Sequence, residues 1–295
     1  MKLDVDLDTF THSGDKDFRL ADHPQSLGRK LYENKADYRT RIAEFQREID
    51  ALQSMMYAHD RYAMLLIFQA MDAAGKDGTI KHVMAGVNPH GVKVYSFKKP
   101  SAREIDHGFL WRTNVAMPER GRIAIFNRSY YEEVLVTRVH PGIITGGQRL
   151  PAEQTKTMSR LWKQRYAAIR NLEQYLHDNG TQVLKFFLNV SKDEQRARFL
   201  SRIDEPEKNW KFSEADVAER QHWKSYMKAY QHCIDKTSSS DAPWYVVPAD
   251  DKKNMRLIVS KIVLSRMKQL DLHYPEVSDE RRAQLQDYRQ QLDEG

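Results

Sequence analysis

The chain has 295 residues, of which 40% are hydrophobic and 30% charged, a composition typical of globular proteins and unlike that of collagen, low-complexity or membrane proteins. This length accommodates one large domain or two small ones with a substantial buried core. The 47 Lys and Arg residues exceed the 41 Asp and Glu residues, and the net charge of +6 favours anions such as nucleotides, polyphosphate or nucleic acid as partners, or serves solubility alone.

Cys233 is the single cysteine, so neither an intrachain disulfide nor a zinc site built from cysteines can form, which fits a reducing compartment. The amino-terminal sequence MKLDVDLDTF is acidic and lacks the apolar stretch of a signal peptide. The longest uncharged apolar run, Ala63 to Met71, has about half the length that a membrane-spanning helix requires. We therefore predict a cytoplasmic protein without a membrane partner.

The chain begins with an arm followed by a long amphipathic helix. Residues 1–34 alternate Gly, Pro, Asp and Ser with few apolar residues, which predicts an extended arm lying over a larger body. From about Lys35 to His59, apolar residues recur at alternating spacings of four and three and so form one stripe of a helix, interpreted as core or as a subunit contact. The stripe comprises Tyr38, Ile42, Phe45, Ile49, Leu52 and Met56.

Short apolar runs follow and alternate with segments of helical pattern. Continuous apolar runs are typical of strands buried on both faces of a parallel sheet. Alternation of such strands with helices indicates an α/β fold, in which one parallel sheet carries helices on both faces. The runs are Ala63 to Phe68, Val92 to Phe97, Ile123 to Phe126, Val183 to Val190 and Trp244 to Val247.

A charged break separates two amphipathic segments late in the chain. Residues 204–211, between helices that begin near Ser191 and Ser213, predict either a helical hairpin that projects from the sheet or a surface loop. Basic residues are spaced so as to line such a hairpin, which could close over a polyanion as a lid. Acidic residues alternate with them, so a solvated surface with salt bridges is the alternative. The basic residues are Arg198, Arg202, Lys208, Lys211 and Arg220.

These segments divide the chain into three predicted parts. An arm (1–34) precedes an α/β domain (35–275), which includes the lid at about 191–235, and a helical tail (276–295) follows. The tail from Pro275 and the apolar stripe that starts at Tyr38 are the candidate subunit contacts.

A phosphate-binding loop is predicted directly after the first strand, in the sequence QAMDAAGKDGTI (69–80). At a junction between strand and helix, backbone N–H groups and the positive end of the helix converge on an anion. The strict Walker A pattern is not met, because Ala70 replaces its first glycine and Asp77 stands at the position of the magnesium-binding Ser or Thr. The residues expected to contact phosphate or nucleotide are Met71, Ala73, Ala74, Gly75, Lys76, Asp77, Gly78 and Thr79.

Asp72 is unusual inside a loop shaped for phosphate. At 4 Å and an effective dielectric constant near 20, two like charges repel by about 4 kcal/mol, so a cation should lie between the carboxylate and the phosphate. Mg²⁺ would supply that cation, with Asp72 as its ligand in place of the missing hydroxyl at position 77. Asp72 could also orient or deprotonate an attacking phosphate oxygen. The alternative is a turn residue that caps the loop.

A second polar cluster ends the third strand, in the sequence IFNRSYYEE. Ligands of open α/β sheets bind at the carboxyl ends of strands, so Asn127 and Arg128 should face the same crevice as Lys76. Arg128 suits a bidentate phosphate contact, and Glu132 could bind a metal ion. Glu132 and Glu133, which we expect towards the phosphates, are also explained by a favourable interaction with a helix N-terminus.

These motifs closely resemble those of the polyphosphate kinase 2 family. The matching segments are QAMDAAGKDGTIKHVMAGVNPHGVKVYSFKKPS, FLWR, IFNRSYYEEVLVTRVHP, NWKFSEADVAERQHW and APWYVVPADDK, within a similarity that extends from about Asp17 to Leu270. The resemblance implies a P-loop kinase-like fold with a helical lid and phosphoryl transfer between inorganic polyphosphate and nucleotides. It also implies Mg²⁺ as cofactor, with Mn²⁺ as an alternative, and assembly as a homodimer or homotetramer.

The resemblance assigns roles position by position. Asp72 and Lys76 match the essential Asp and Lys of the family's G-x-D-x-x-G-K loop, from whose first glycine Ala70 departs. Asn127 stands where many members have the Walker B aspartate of D-R-S, and those members carry Asn at the position of Glu132. The combined exchange resembles the third class of the family, which accepts both AMP and ADP.

We therefore expect a kinase that transfers the terminal phosphoryl group of polyphosphate reversibly to AMP or ADP, with guanine nucleotides as further candidates. Asp72, Lys76 and Arg128 are the expected catalytic residues, and Asp72 and Glu132 the expected metal ligands. An ATP-dependent nucleoside monophosphate kinase is the alternative, because the same loop and lid serve that reaction. A nucleic-acid binder has no support from a zinc-finger spacing, an RNA-recognition motif or a dense basic run.

Overall fold

A six-stranded sheet forms the centre of the computed structural model, which describes residues 3–294. The strands are β1 (Thr11–His12), β2 (Ala63–Gln69), β3 (Val92–Ser96), β4 (Ile123–Asn127), β5 (Thr181–Asn189) and β6 (Trp244–Pro248). Their order is β1-β6-β5-β2-β4-β3, and all neighbours are parallel except β1, which is antiparallel to β6. The predicted α/β class is confirmed. The apolar runs do not predict the short antiparallel edge strand, which belongs to the arm.

Helices of very different length connect the strands. Except for the exposed α13, the long ones are amphipathic or buried, and the short ones shape the loops around the carboxyl edge of the sheet. In chain order they are α1 (Lys35–His59), α2 (Lys76–Val83), α3 (Ala102–Ile105), α4 (Trp111–Asn114), α5 (Val136–Val139), α6 (Gly142–Gly147), α7 (Ala152–Thr155), α8 (Met158–Asp178), α9 (Lys192–Asp204), α10 (Glu214–Gln221), α11 (Trp223–Thr237), α12 (Lys252–Met267) and α13 (Asp279–Glu294). Two 3₁₀ helices matter for the site, at Tyr130–Glu133 and Pro206–Lys211.

The long helices cover the two faces of the sheet as separate layers. Helices α1, α2 and α12 pack against one another on one face, and α5, α8 and α11 pack together on the other. The apolar stripe of α1 belongs to the core of this chain, because Ile49 and Met56 are completely buried and Phe45 and Leu52 pack against the same core. Of the two interpretations of the stripe, the structure therefore supports a role in the core and not a subunit contact.

Strand β2 runs through the middle of the sheet, between β4 and β5, and all of its residues are buried. Its Phe68 is in register with Asn127 on β4 and with Phe186 on β5. Because the three strands are parallel, their carboxyl ends meet at one edge, where ligands of such sheets bind. The loop that starts at Ala70 and the turn that starts at Arg128 are thereby brought side by side.

The two ends of the chain differ in how they contact the domain. In the arm, Phe10 and Phe18 are buried and β1 extends the sheet. In the tail, every residue of α13 is exposed to solvent. Met1, Lys2 and Gly295, the outermost residues of the predicted arm and tail, lie outside the described residues. None of the helices between residues 3 and 294 combines the length and apolar character needed to cross a lipid bilayer.

Candidate active site

The loop between β2 and α2 presents backbone N–H groups at the carboxyl edge of the sheet. Gly75 is the N-cap of α2 and has a φ of 107°, which a residue with a Cβ adopts only with strain. Ala73 also has a left-handed φ of 60°, and Met71 and Ala74 of the same loop are buried. Within the described chain no side chain caps α2, so its first N–H groups are available to an anion.

Lys76 begins α2 and folds back over the loop. Its Nζ donates to the carbonyl oxygen of Ala70 at 3.0 Å and lies 3.5 Å from that of Met71. Burial lowers the pKa of Lys76, and the neighbouring Asp72 carboxylate opposes this shift. The ammonium group is therefore held beside the loop by carbonyl oxygens that a phosphate could replace.

Arg128 lies between the two predicted metal ligands. Its Nη2 is 2.7 Å from Asp72 Oδ1, and its Nη1 is 3.5 Å from Glu132 Oε2. Burial would lower the pKa of Arg128, but the charges of Glu132 and Asp72 outweigh it and raise this pKa. Arg128 also has a left-handed φ of 64°, a strained conformation of the kind that is concentrated at functional sites.

The 3₁₀ helix Tyr130–Glu133 holds Glu132 at the site. Tyr130 and Tyr131 donate their hydroxyls to the buried Glu173 at 2.8 and 2.7 Å, and Lys185 Nζ donates to the same carboxylate at 2.6 Å. This buried network fixes the turn to α8 and β5. Burial raises the pKa of Glu132, while Arg128 opposes that shift.

Oxygen ligands for a metal ion are present beside the loop. The carboxylates of Asp72 and Glu132 flank Arg128, and Asp77 accepts a hydrogen bond from the Asn127 amide. Among residues 3–294 no three His, Cys, Asp or Glu side chains are grouped so as to hold a metal by themselves. Mg²⁺ usually binds proteins through one or two carboxylates together with substrate phosphates and waters. The donor set therefore fits Mg²⁺ or Mn²⁺ that binds together with phosphate.

Two of the predicted contact residues support the loop from behind. Arg198 is 6% exposed, and its guanidinium donates to the carbonyl oxygens of Ala73 at 3.1 Å and Ala74 at 2.6 Å. Thr79 is buried and directs both its hydroxyl and its N–H to the carbonyl oxygen of Gly75. Contrary to the expectation from the sequence, neither side chain lies at the surface of the crevice, since the Thr79 donors are used by the loop and those of Arg198 by the loop, by Glu194 and by the carbonyl oxygens of Ala249 and Asp250.

The remaining predicted lid cations are largely paired within the lid. Arg202 lies 3.2 Å from Asp216, Lys208 pairs with Glu205, and Arg220 donates to Lys192 O at 2.7 Å and Gln195 Oε1 at 2.8 Å. Lys211 is exposed, with Nζ 4.9 Å from the ring centre of Trp210. In this conformation the salt-bridged interpretation describes Arg202 and Lys208.

Acidic lid residues, expected from the sequence only as salt-bridge partners, also face the loop. Asp216 and Glu219 on α10 line a cavity of about 40 Å³ together with Asp72, Arg128 and Glu132. Glu219 is held there by His140 at 3.0 Å and by the hydroxyl of Tyr226 at 2.6 Å. Gln195 on α9 donates to the carbonyl oxygen of Asp72 at 3.0 Å. The lid is thus closed over the loop.

A much larger cavity lies on the other side of Arg128. Its volume is about 770 Å³, and its walls come from the segment after β3 and from α4, α6 and α8. Arg128, Glu132 and Val136 line both this cavity and the small one under the lid. Two ligands, one in each cavity, would therefore meet at Arg128 and Glu132.

Glu133 shapes the large cavity instead of facing the loop. Glu133 is 4% exposed, and its carboxylate accepts from Arg165 at 3.1 Å and from Gln148, while Arg112 lies 3.9 Å away. The aromatic ring of Phe109 packs against Arg165, 5.0 Å from its guanidinium. The expectation that Glu133 is directed towards the phosphates is wrong, because these two arginines hold it in the cavity wall.

Comparison with known proteins gives four similarities: a family model, two relatives and one crystal structure. Residues 32–275 match the family model described as Polyphosphate kinase 2 (PPK2). The chain is 57% identical over 262 residues to the ADP-polyphosphate phosphotransferase of Rhodopseudomonas palustris, covering 89% of this chain and 90% of that one. It is 43% identical over 235 residues to the AMP/ADP-polyphosphate phosphotransferase of Meiothermus ruber, covering 80% and 83%. The crystal structure of Polyphosphate Kinase 2 from Arthrobacter aurescens TC1 superimposes with a TM-score of 0.80 at 36% identity, covering 92% and 93%.

Proposed function

Because this chain belongs to the polyphosphate kinase 2 family, we propose that it transfers the terminal phosphoryl group of inorganic polyphosphate directly to ADP and AMP. The products are ATP and ADP, and the reaction is reversible. The observation that carries this proposal is the pair of cavities that meet at Arg128 and Glu132, one under the lid and the other large enough for a nucleotide.

The polyphosphate donor binds between the loop and the lid. The free N–H groups at the start of α2 and the ammonium group of Lys76 contact its terminal phosphates. Basic residues continue beyond the loop, where burial and the charge of Arg198 lower the pKa of Lys252. Arg256 also lies here, close to Gly78 in α2. Its Nη2 would be 3.2 Å from a Cβ atom if Gly78 carried one. This concentration of positive charge suits a chain of phosphates longer than a nucleotide's.

The acceptor nucleotide binds in the large cavity. Phe97 and Phe109 supply apolar walls there, and the arginines paired with Glu133 supply polar groups. The phosphate end of the nucleotide points to Arg128, which suits a bidentate contact with phosphate oxygens. AMP and ADP differ by one phosphate, so a cavity open towards Arg128 can accept both.

Transfer follows an in-line displacement without a covalent intermediate on the protein. A terminal phosphate oxygen of the nucleotide attacks the terminal phosphorus of polyphosphate, the bridging P–O bond breaks, and the polyphosphate leaves one unit shorter. Lys76, Arg128 and the loop N–H groups stabilise the charge spread over the transferred group. Asp72 holds Arg128 and orients the attacking oxygen, which is already ionised near neutral pH, so positioning matters more than proton removal.

Mg²⁺, or Mn²⁺ in its place, is the proposed cofactor, with Asp72 and Glu132 as its protein ligands. When bound, it neutralises the negative charge that the two acids and the phosphates would otherwise concentrate in one place. The protein's own contribution is to hold these two carboxylates on either side of Arg128.

The test is to incubate the purified protein with Mg²⁺ and polyphosphate and to offer ADP, AMP, GDP and GMP separately. ATP should appear from ADP, and ADP from AMP, with no other nucleoside triphosphate present. The alternative, an ATP-dependent nucleoside monophosphate kinase, requires instead that ATP and AMP yield ADP without polyphosphate. We further propose that the protein accepts guanine nucleotides, which the same panel tests, and that it assembles into dimers or tetramers, which its mass in solution tests. A cytoplasmic location is also proposed, and cell fractionation tests it.

A further inference from the structure

Gln69 is a buried polar residue directly beneath the active site. It is the last residue of β2, is 0% exposed and follows an apolar run, Ala63 to Phe68. A buried amide destabilises a protein unless its oxygen and its NH₂ group each find a partner. The partners of Gln69 therefore indicate what its amide is for.

The surroundings of Gln69 determine the orientation of its amide. The oxygen accepts from the backbone N–H and from the hydroxyl of Ser129, each at 3.1 Å, and the NH₂ group donates to Glu132 Oε1 at 2.8 Å. The opposite orientation would place an amide oxygen against a carboxylate and amide hydrogens against an N–H donor. The Ser129 hydroxyl also accepts from the backbone N–H of Tyr131 at 3.1 Å, which leaves its hydrogen for Gln69.

The two oxygens of Glu132 have partners of different kinds. Oε2 faces Arg128 at 3.5 Å, and Arg128 is shared with Asp72 and is expected to bind phosphate. Oε1 faces Gln69, whose position is fixed by the strand and by Ser129. If Arg128 turned to a bound phosphate, the contact with Gln69 would still be available to Glu132.

We propose that Gln69 is a positioning residue that holds the Glu132 carboxylate in the orientation in which it binds metal. The inference rests on the proposed function, in which Glu132 is a ligand of Mg²⁺. A donor on Oε1 directs the remaining lone pairs of the carboxylate towards the cavity. As an amide, Gln69 does this without adding a further negative charge beside the phosphates.

The first test replaces Gln69 by methionine, which has a similar size but no donor. Mn²⁺ binding to the complex with ADP is measured without polyphosphate, so that no turnover occurs, and kcat and KM are measured separately. We expect Gln69→Met to weaken Mn²⁺ binding and to lower kcat by about 10- to 100-fold, as is typical for residues that orient a metal ligand. The KM for polyphosphate should change less than about twofold, because Gln69 lies beneath Glu132 and not in the loop.

Gln53→Met is the matched control. Gln53 is 1% exposed, donates to the carbonyl oxygen of Gly121 at 3.3 Å and lines neither cavity. It should leave Mn²⁺ affinity and kcat unchanged. Equal Mn²⁺ affinity and kcat in Gln69→Met and the unchanged protein would overturn the proposal.

A double-mutant cycle tests whether Gln69 acts through Glu132. In a Glu132→Gln background the carboxylate is absent, so Gln69→Met should have little further effect on kcat/KM. If the two substitutions instead multiply their effects, Gln69 has a separate, structural role and the proposal is wrong.

A second variant covers the case in which Gln69→Met fails to fold. Gln69→Glu keeps an acceptor for Ser129 but places a second carboxylate against Glu132. Combining Gln69→Glu with Glu132→Gln restores the contact, because the amide at position 132 can then donate to the carboxylate at position 69. The double variant should melt several degrees higher than Gln69→Glu alone. Equal melting temperatures would contradict the contact.

A failure of the proposed function can be told apart from a failure of this inference. In the first case the unchanged protein makes no ATP from polyphosphate and ADP.

Discussion

Arg128, directly after strand β4, forms an ion pair with Asp72 in the loop after β2, with Nη2 2.7 Å from Oδ1. The pair joins residues that are 56 positions apart in the sequence. The same guanidinium reaches Glu132 on its other side. Arg128 thus balances the charges of both carboxylates, and a bound phosphate would compete with them for its guanidinium.

Replacing Arg128 by lysine should lower kcat about 10²- to 10³-fold, a loss typical of removing one donor that stabilises a transition state. A lysine keeps the positive charge but has no planar fork, so it cannot contact Asp72 and Glu132 together. Steady-state kinetics with polyphosphate and ADP measure the effect. A kcat within about threefold of that of the unchanged protein would show that catalysis does not need the planar guanidinium group at this position.

Asp72→Ala and Lys76→Ala should each reduce turnover by about two orders of magnitude or more, with the fold retained. Both side chains are partly exposed at the edge of the crevice, so neither contributes to the core. Circular dichroism and melting temperature test the fold, and Lys81→Ala, an exposed lysine on the same helix α2, is the control for activity. Rates near those of the unchanged protein would remove the substituted residue from the site.

Asp216→Asn should lower the KM for polyphosphate by a factor of about five, because it removes about 1 kcal/mol of repulsion between the lid and the phosphates. Burial, followed by the charge of Asp72, already raises the pKa of Asp216, which indicates that its negative charge is unfavourable there. The substitution also frees Arg202 from its 3.2 Å pair. Glu214→Gln, at an exposed position of α10, is the control. An unchanged KM would mean that Asp216 does not repel the phosphates, and a higher KM that its pair with Arg202 is needed by the closed lid.

Lys185→Met should lower the free energy of unfolding by about 3–5 kcal/mol, the typical loss when one partner of a buried ion pair is removed. Lys185 is completely buried, and Glu173 would remain without its cation beside Tyr130 and Tyr131. Urea or thermal unfolding measures the change. Lys163→Met, on the exposed face of α8, should change stability by less than about 0.5 kcal/mol. A loss of less than about 1 kcal/mol at position 185 would contradict the assigned role of the network.

Chelation of divalent metal should abolish activity without lowering the melting temperature of the protein alone. The described residues contain no cluster of three ligands that could hold a metal by itself, so metal should bind with substrate phosphates. Mg²⁺ should therefore raise the melting temperature in the presence of nucleotide or polyphosphate, and hardly at all in their absence. Strong stabilisation by Mg²⁺ alone would point to a preformed metal site elsewhere.

The sequence predicts those parts of the site that short segments encode. The loop at 69–80 and the turn at 127–132 follow buried strands, and parallel strands bring their carboxyl ends together, so Asp72, Lys76 and Arg128 could be expected to meet. The bounds of α1 also follow from its periodicity, because the apolar stripe packs on the core along its length.

Other parts depend on contacts between distant segments and leave little local signal. Arg198 bonds a loop carbonyl 124 positions away, although its spacing along α9 is that of a lid cation. Glu133, Arg112 and Arg165 come together only in the folded chain. Gln69 offered one signal, a polar residue at the end of an apolar strand, but its partner Glu132 could be named only from the structure.

The central claim is that phosphoryl groups pass from polyphosphate to a nucleotide across Arg128 and Glu132 without stopping on the protein. The most direct measurement uses ³²P-labelled polyphosphate with Mg²⁺ and unlabelled ADP, quenched within a single turnover and separated into nucleotide and protein fractions. We expect label in ATP at the rate of turnover and none on the protein. Absence of labelled ATP, or label that reaches ATP only after a protein-bound stage, would contradict the account.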